Sequence, residues 1–286
     1  MPYVSVFGVD HYYEWLTEGE TGPNGIKPIM VFIHGWGGSC RYWRSTARSL
    51  SSQFDCLLYD MRGFGQSRIK TNDREAVLAR GYELDTFADD LAELLNALEI
   101  DRIWLNSHST GASVAALFLN QYGDRVNQAI LTCNGIFEYD KKAFEAFYTF
   151  GGYVVRFRPA WLSRIPLAPR VFMARFLSRP IPSAERKAFL QDYLSADGDI
   201  ALGTIYTAVS KRATEIMPAA FKAIAVPTLL VSGEYDQITP AKLGKQAAVL
   251  NPEMIKYVEI KNTGHFPMLE APQIYLEEVN NFLNVA

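Results

Sequence analysis

The sequence predicts an α/β fold, in which a mainly parallel eight-stranded sheet carries helices on both faces and a helical insertion. Short apolar runs rich in β-branched residues alternate with longer segments of helical period, which is typical of a parallel sheet wrapped by helices. The alternation stops between residues 135 and 217 and then resumes. The chain of 286 residues is long enough for one such core with a subdomain.

The predicted elements follow from these runs, and the first two strands are expected to pair antiparallel. The eight strands are Tyr3–Phe7, Tyr12–Leu16, Ile29–Ile33, Phe54–Tyr59, Arg102–Asn106, Asn127–Cys133, Thr228–Ser232 and Ile255–Ile260. The helices between them are Arg41–Leu50, Asp85–Leu98, Thr110–Tyr122, Pro240–Leu250 and Pro272–Leu283. Residues 1–134 and 218–286 therefore form the predicted core, and residues 135–217 form a helical cap.

Composition excludes several classes of protein. With 49% hydrophobic and 21% charged residues the chain resembles an average globular protein, and no apolar run reaches the roughly 18 residues that span a bilayer. The N-terminal residues lack the pattern of a signal peptide, so we expect a cytoplasmic protein. A net charge of −3 predicts no nucleic-acid partner. Cys40, Cys56 and Cys133 form no C-x-x-C pair, so neither a disulfide framework nor a metal site is predicted.

The cap has an unusual composition. Between Gly135 and Lys187 there are ten Lys/Arg and four Asp/Glu, so this stretch carries +6 and the remainder −9. Eleven aromatic residues lie between Phe137 and Phe176. One interpretation is an apolar, long-chain substrate together with peripheral contact of the cap with anionic lipid. The other is ordinary packing of the cap on the core, with a solvated basic rim.

Ser109 is the predicted nucleophile. The strand Arg102–Asn106 runs into the pentapeptide Ser107-His108-Ser109-Thr110-Gly111 and then into a helix of small residues. A serine on a sharp strand-to-helix turn needs small residues two positions away on each side, because the turn presses these neighbours together. Ser107 stands where a glycine is usual in this motif. The alternative interpretation is that Ser109 caps the N-terminus of the following helix.

His265 is the predicted base and Asp236 the carboxylate that orients it. Each residue follows a strand, and the carboxyl ends of parallel strands share one edge of a sheet. The order serine, aspartate, histidine along the chain is the order that this arrangement of a triad requires. Glu234 is the alternative acid, and His11 and His34 are alternative bases.

The segment His34-Gly35-Trp36-Gly37-Gly38 follows the third strand and is rich in glycine. We expect the backbone N–H groups of Trp36 and Thr110 to form an oxyanion hole, because a tetrahedral intermediate needs two such donors. A tight structural turn is the alternative for Gly37 and Gly38. No glycine pattern of a nucleotide site is present, since Gly63-Phe64-Gly65 is not followed by a further glycine at the required position, and no cofactor is predicted.

These segments together resemble the α/β-hydrolase superfamily, in its branch of serine esterases, lipases and C–C hydrolases. The matching segments are HGWGG at His34–Gly38, DMRGFGQS at Asp60–Ser67, SHSTG at Ser107–Gly111, SGEYD at Ser232–Asp236 and GHFPMLEAP at Gly264–Pro272. The resemblance implies the same triad and the same two oxyanion donors. It also implies that Asp60, Arg62 and Gly63 form a structural turn. Because the strand-to-helix turn holds Ser109 and not an aspartate, the resemblance points away from the dehalogenase and epoxide-hydrolase branches.

The predicted function is hydrolysis of a carboxylic ester or thioester of an apolar, long-chain acyl group through an acyl-enzyme on Ser109. C–C bond hydrolysis and acyl transfer use the same triad and are alternatives. A ligand receptor of this fold without turnover is the alternative of another class. The residues expected to line the substrate site are Trp36, His108, Phe137, Phe147 and Phe266, although His108 is also interpreted as a packed structural histidine.

Overall fold

A computed structural model of the protein describes residues 2–18, 22–23 and 25–283, apart from the side chains of residues 143, 146, 147 and 150. One sheet organises the chain. Its strands are β1 (Tyr3–Val6), β2 (Val9–Leu16), β3 (Ile29–Ile33), β4 (Asp55–Tyr59), β5 (Arg68–Ile69), β6 (Ile103–His108), β7 (Val126–Thr132), β8 (Thr228–Gly233) and β9 (Ile255–Ile260).

The strand order across the sheet is β1-β2-β4-β3-β6-β7-β8-β9. The six strands from β4 to β9 in this order are parallel, and the first two are antiparallel. All eight predicted strands form. A ninth, β5, pairs with β2 through only two residues, which is too short to produce a period of its own in the sequence.

Helices surround the sheet. They are α1 (Arg44–Leu50), α2 (Arg74–Ala79), α3 (Leu84–Ala97), α4 (Thr110–Tyr122), α5 (Lys141–Arg156), α6 (Ala168–Met173), α7 (Ser183–Ser195), α8 (Gly198–Ala208), α9 (Lys211–Ala223), α10 (Ala241–Val249), α11 (Pro267–Glu270) and α12 (Pro272–Leu283). Short 3₁₀ helices cover Cys40–Trp43, Thr71–Asp73, Gly123–Arg125 and Ala160–Arg164. No described helix is long and apolar enough to cross a membrane.

The core has two apolar clusters, one on each face of the sheet. Residues of α3, α4, α9 and α10 form the larger cluster, which contains Phe87, Phe118 and Phe221. Residues of α1 and α12 form the other, around Trp43 and Tyr275. Strands β3 and β4 are buried almost throughout, as expected for central strands covered on both faces. This burial holds the carboxyl edge of the sheet in a fixed geometry.

Between residues 135 and 217, where the whole backbone is described, the chain forms helices and no strand. Helices α5 to α8 lie inside the predicted cap, and α9 crosses its predicted boundary at residue 217. Asp192 on α7 accepts hydrogen bonds from Ser39 (2.7 Å) and Arg41 (2.5 Å). Asp197, at the start of α8, pairs with Arg74 at 2.7 Å. These bonds hold α7 and the start of α8, within the predicted cap, against the rest of the chain.

Candidate active site

Ser109 sits at the turn between β6 and α4, with φ 53° and ψ −124°. A side chain in this positive-φ region strains the backbone by about 1–3 kcal/mol, so the surrounding structure must enforce the conformation. The Ser109 N–H donates to the Thr132 carbonyl at 2.9 Å. The Ser109 carbonyl accepts from the Asn134 side-chain amide, also at 2.9 Å. These bonds fix the turn to the end of β7.

The two flanking positions of the turn are filled as the motif requires. A Cβ atom on Gly111 would lie 2.3 Å from the His34 carbonyl oxygen, so only glycine permits this approach of α4 to the loop after β3. Ser107 is fully buried, and its hydroxyl donates to the Ile130 carbonyl at 3.0 Å. Ser107 is thus engaged within the sheet, whereas Ser109 is partly accessible.

Three predicted residues meet at the carboxyl edge of the sheet. The Ser109 hydroxyl lies 2.9 Å from Nε2 of His265, and Nδ1 of the same ring lies 2.7 Å from Oδ2 of Asp236. The other oxygen of Asp236 accepts the backbone N–H groups of Ile238 (2.8 Å) and Thr239 (3.0 Å). His265 and Asp236 are almost completely buried. In this geometry Nδ1–H donates to the carboxylate, and Nε2 is left to accept the serine proton.

The alternative acid and bases lie elsewhere. Glu234 accepts the Asn262 N–H at 2.9 Å and pairs with Lys261. His11 bonds the Asp60 carbonyl at 3.0 Å. His34 accepts the N–H of Met61 at 2.9 Å, and burial lowers its pKa to about 4. None of the three has a described hydrogen bond to Ser109.

His108 connects the two loops of the site. Its Nε2 lies 2.7 Å from the backbone carbonyl of His265, and its Nδ1 lies 2.9 Å from the Tyr42 hydroxyl. That hydroxyl also accepts the Gly35 N–H at 2.6 Å. Burial holds the pKa of His108 well below its usual value, so the ring is neutral, with Nε2–H donating to His265 and Nδ1 accepting from Tyr42. These contacts favour the interpretation of His108 as a structural histidine.

Glu270 is a residue that the sequence analysis missed. Its carboxylate accepts N–H groups from Gly264 (3.0 Å) and Phe266 (3.1 Å), on either side of His265. It also accepts those of Ser178 (2.7 Å) and Arg179 (2.8 Å), which belong to the predicted cap. An acidic residue inside the apolar segment GHFPMLEAP is the one signal in the sequence that could have identified it. Glu270 therefore fixes the loop that carries His265 to the segment Ser178–Arg179.

The predicted oxyanion donors lie beside the serine. A Cβ atom on Gly35 would be 3.1 Å from the Ser109 Cβ, so the loop after β3 runs directly past Ser109. Thr110 is the first residue of α4 and therefore has no intrahelical acceptor for its N–H. Among the described residues, neither this N–H nor that of Trp36 donates to a protein acceptor. Both donors are available, and their oxyanion role stays a prediction.

The other predicted substrate contacts are scattered. The Trp36 indole donates to the Ala201 carbonyl at 2.8 Å, and its ring centroid is 5.8 Å from that of Tyr193 on α7. Phe266 is buried against His108. Phe137 is 40% exposed and lines an open groove of about 810 Å³ between α9 and α10, which contains no triad residue. The side chain of Phe147 lies outside the described part of the structure.

One cluster has the composition of a metal site. The donor atoms of His108, Cys133 and His265 lie within 4.8 Å of one another. Both nitrogens of each histidine already hydrogen-bond to protein groups, and burial raises the pKa of the Cys133 thiol well above its usual value. A metal would need a free imidazole nitrogen or a thiolate, so this cluster is suited to hydrogen bonding instead.

Known proteins share this architecture. A solved enol-lactonase from Burkholderia xenovorans LB400 is 19% identical with a TM-score of 0.78, covering 99% of this chain and 100% of its own. A thermophilic esterase from Thermogutta terrifontis is 22% identical with a TM-score of 0.73, covering 99% of this chain and 96% of its own.

The sequence comparisons identify the same fold. The AB hydrolase superfamily protein YisY of Bacillus subtilis is 25% identical over 269 residues, which are 90% of each chain. The family model for the α/β hydrolase fold matches residues 28–272. This match covers most of the chain and includes all three residues that meet at the carboxyl edge of the sheet. The chain therefore belongs to the α/β-hydrolase family.

Proposed function

We propose that the protein is a serine hydrolase that cleaves a carboxylic ester or thioester through an acyl-enzyme on Ser109. The observation that carries this proposal is the unbroken series of hydrogen bonds from Asp236 through His265 to Ser109. Such a series activates a serine that would otherwise be a weak nucleophile. The partial accessibility of Ser109, in contrast to the buried Ser107, supports the same assignment.

The reaction would proceed in two halves. The Ser109 hydroxyl attacks the substrate carbonyl carbon while its proton passes to Nε2 of His265, and Asp236 stabilises the resulting imidazolium. The N–H groups of Trp36 and Thr110 bind the oxyanion of the tetrahedral intermediate. Collapse of this intermediate breaks the ester bond, and the leaving alkoxide or thiolate takes the proton from His265. Water then attacks the acyl-enzyme with His265 as its base, which releases the acid and restores Ser109.

An apolar acyl group suits the surroundings of the triad. The ring of Phe176 lies 6.1 Å from that of His265, and Phe172 packs on Tyr193 at 4.7 Å. Tyr193 in turn contacts the ring of Trp36 in the oxyanion loop. Aromatic side chains from the cap therefore lie close to His265 and to the oxyanion loop, and an apolar acyl group bound among them would gain about 0.8 kcal/mol for each buried methylene.

Turnover of p-nitrophenyl esters of increasing acyl length tests this proposal. We expect the longer esters to be cleaved faster than the acetyl ester, and Ser109→Ala to lose turnover down to the residual effect of the remaining site, about 10³- to 10⁴-fold over water. Ser107→Gly is the matched control and should retain activity. Normal turnover in Ser109→Ala would contradict the proposal. Binding of the esters without turnover would favour a receptor instead.

We also propose a cytoplasmic location. The three cysteines Cys40, Cys56 and Cys133 are buried and unpaired, which suits a reducing compartment.

A further inference from the structure

The cap exposes an unusual amount of apolar surface. Of the fifteen large apolar side chains exposed among the described residues, eight lie between residues 148 and 171. The most exposed of these are Val171 (72%), Tyr153 (69%), Phe157 (68%), Leu167 (65%) and Trp161 (52%), and together we call them the cap patch. Exposed apolar side chains concentrated in one segment of a folded protein are typical of a binding surface.

The local structure explains why these side chains face solvent. One side of α5 faces α8, because Val155 is buried and Tyr148, although half exposed, stacks on Tyr206 of α8 at 3.9 Å. Tyr153 and Phe157 are four residues apart, so they lie together on another side of the helix. The cap is therefore packed on the core without using the cap patch.

The charged side chains in the stretch that carries the cap patch are also of one sign. Residues 146–184 contain six arginines and no Asp or Glu. Two of the arginines are engaged in the fold. Arg158 donates to the carbonyls of Tyr193 (3.0 Å) and Ala196 (2.9 Å) within the cap, and Arg179 donates to that of Asn262 in the core (2.8 Å). The other four are exposed, and their guanidinium groups bond to no described residue: Arg156, Arg164, Arg170 and Arg175.

We propose that the cap patch and these four arginines bind the surface of an anionic lipid bilayer. Trp and Tyr side chains favour the interface between headgroups and acyl chains, and aliphatic side chains such as Leu167 and Val171 insert between the chains. Exposed arginines without acidic neighbours complement the phosphates of anionic lipids.

Other occupants fit less well. A second copy on this surface would bring eight unpaired guanidinium groups together, and like charges at close range repel. Single-stranded nucleic acid would use the aromatic rings for stacking, but Leu167 and Val171 cannot stack on bases. A lipid surface uses all of these features.

Sedimentation of the full chain with lipid vesicles tests the proposal. We expect binding to vesicles of phosphatidylcholine with phosphatidylglycerol and much weaker binding to phosphatidylcholine alone. Binding should weaken as salt is raised, because the Debye length falls from about 10 Å at 0.1 M to about 3 Å at 1 M. Ser109→Ala should bind as the native protein does, so this result does not depend on the proposed hydrolase activity.

Two pairs of variants separate the contributions. Arg164→Gln with Arg170→Gln should weaken binding about 25-fold, at about fivefold for each arginine. The double variant Phe157→Ser, Trp161→Ser should lose most of the affinity for anionic vesicles. Two double variants at exposed residues outside the cap are the matched controls. Arg48→Gln with Arg102→Gln matches the arginine pair, and Val249→Ser with Ile274→Ser matches the apolar pair. Both controls should bind the vesicles as the native protein does.

All of these side chains are exposed, so unchanged circular dichroism should show that the variants fold. Equal binding to neutral and anionic vesicles would overturn the proposal. So would losses of equal size in the control variants. The native protein could instead form a dimer in lipid-free solution. If the double variant Phe157→Ser, Trp161→Ser dissociates that dimer, a second copy occupies the cap patch.

Discussion

Ser109 adopts a backbone conformation that few residues other than glycine adopt, and its position depends on contacts that lie far away in the sequence. The residues Ser109, Asp236 and His265 could be predicted because each follows a strand end, and β6, β8 and β9 all end at the same edge of the sheet. Their order along the chain, serine, aspartate and then histidine, supported the choice of these three residues. The distances between them required the structure.

The residues that hold Ser109, Asp236 and His265 in place were harder to predict. His108 lies 157 positions from the carbonyl that it binds on His265. Glu270 collects N–H groups from the histidine loop and from the cap. A hydrogen bond between distant segments leaves no local pattern in the sequence, because its partners are neighbours only after folding.

His108→Ala should slow the proposed reaction, because His108 bonds to the Tyr42 hydroxyl and to the backbone carbonyl of His265. The change leaves the Tyr42 hydroxyl and the His265 carbonyl without their partners, and each unsatisfied buried group costs about 1–3 kcal/mol of stability. Because the backbone of His265 loses its anchor, we expect kcat to fall more than KM rises. Denaturation in urea and steady-state kinetics with an ester substrate measure the two effects.

His11→Ala is the matched control for this prediction. His11 is another buried histidine with a backbone hydrogen bond, and it has no described contact with the triad. We expect it to lose stability while keeping kcat. An unchanged kcat in folded His108→Ala would mean that His108 does not position the base.

The bounds of β3, α4, β9 and α12 were predicted to the residue, whereas α11, just after His265, was not predicted. The bounds of α4 and β9 match the predicted ones, because a glycine or a loop marks their ends in the sequence. The predicted helix Arg41–Leu50 is instead a 3₁₀ helix at Cys40–Trp43 followed by α1. Hydrophobic period alone does not distinguish the two kinds of helix over so short a segment.

The position of α4 against the loop after β3 depends on Gly111. In Gly111→Ala the new methyl group would meet the His34 carbonyl oxygen at 2.3 Å. Since this neighbour is backbone, α4 must shift, and overpacking of this kind costs about 1–3 kcal/mol. We expect kcat for ester hydrolysis to fall together with the melting temperature.

Gly123→Ala, at the other end of α4, provides the comparison. A Cβ atom there would have its nearest neighbour at 3.6 Å, which is an ordinary contact. Activity should be unchanged in this variant. If Gly111→Ala is as active as Gly123→Ala, the close approach of helix and loop is not needed for the site.

At the scale of the whole molecule, several titratable groups are buried deeply enough that desolvation dominates the shift of their pKa values. Burial lowers the pKa values of His11, His34 and His108 and raises that of Asp60 to about 6. The two effects have opposite consequences for stability. Between pH 4 and 6 the folded state binds more protons at Asp60 but fewer at the histidines than the unfolded state does.

His34 gives the clearest prediction for stability in acid. Its folded pKa of about 4 lies below the ordinary 6.5, so its contribution is complete above pH 6.5 and is lost as the pH falls towards 4. The loss amounts to about 3 kcal/mol in the free energy of unfolding. His34→Asn, which cannot take up this proton, should show a flatter decline in urea denaturation between pH 7 and pH 4. An identical decline in both proteins would contradict the assignment of a neutral buried His34.

The central claim is that Ser109 is a nucleophile activated by His265, and covalent labelling tests it most directly. Incubation with a fluorophosphonate followed by mass spectrometry of the intact protein and its peptides should show one added group, attached to Ser109. Labelling should be absent in Ser109→Ala and slowed about 10⁴-fold in Asp236→Asn. A label on Ser107, or a rate of labelling unaffected by Asp236→Asn, would contradict the account.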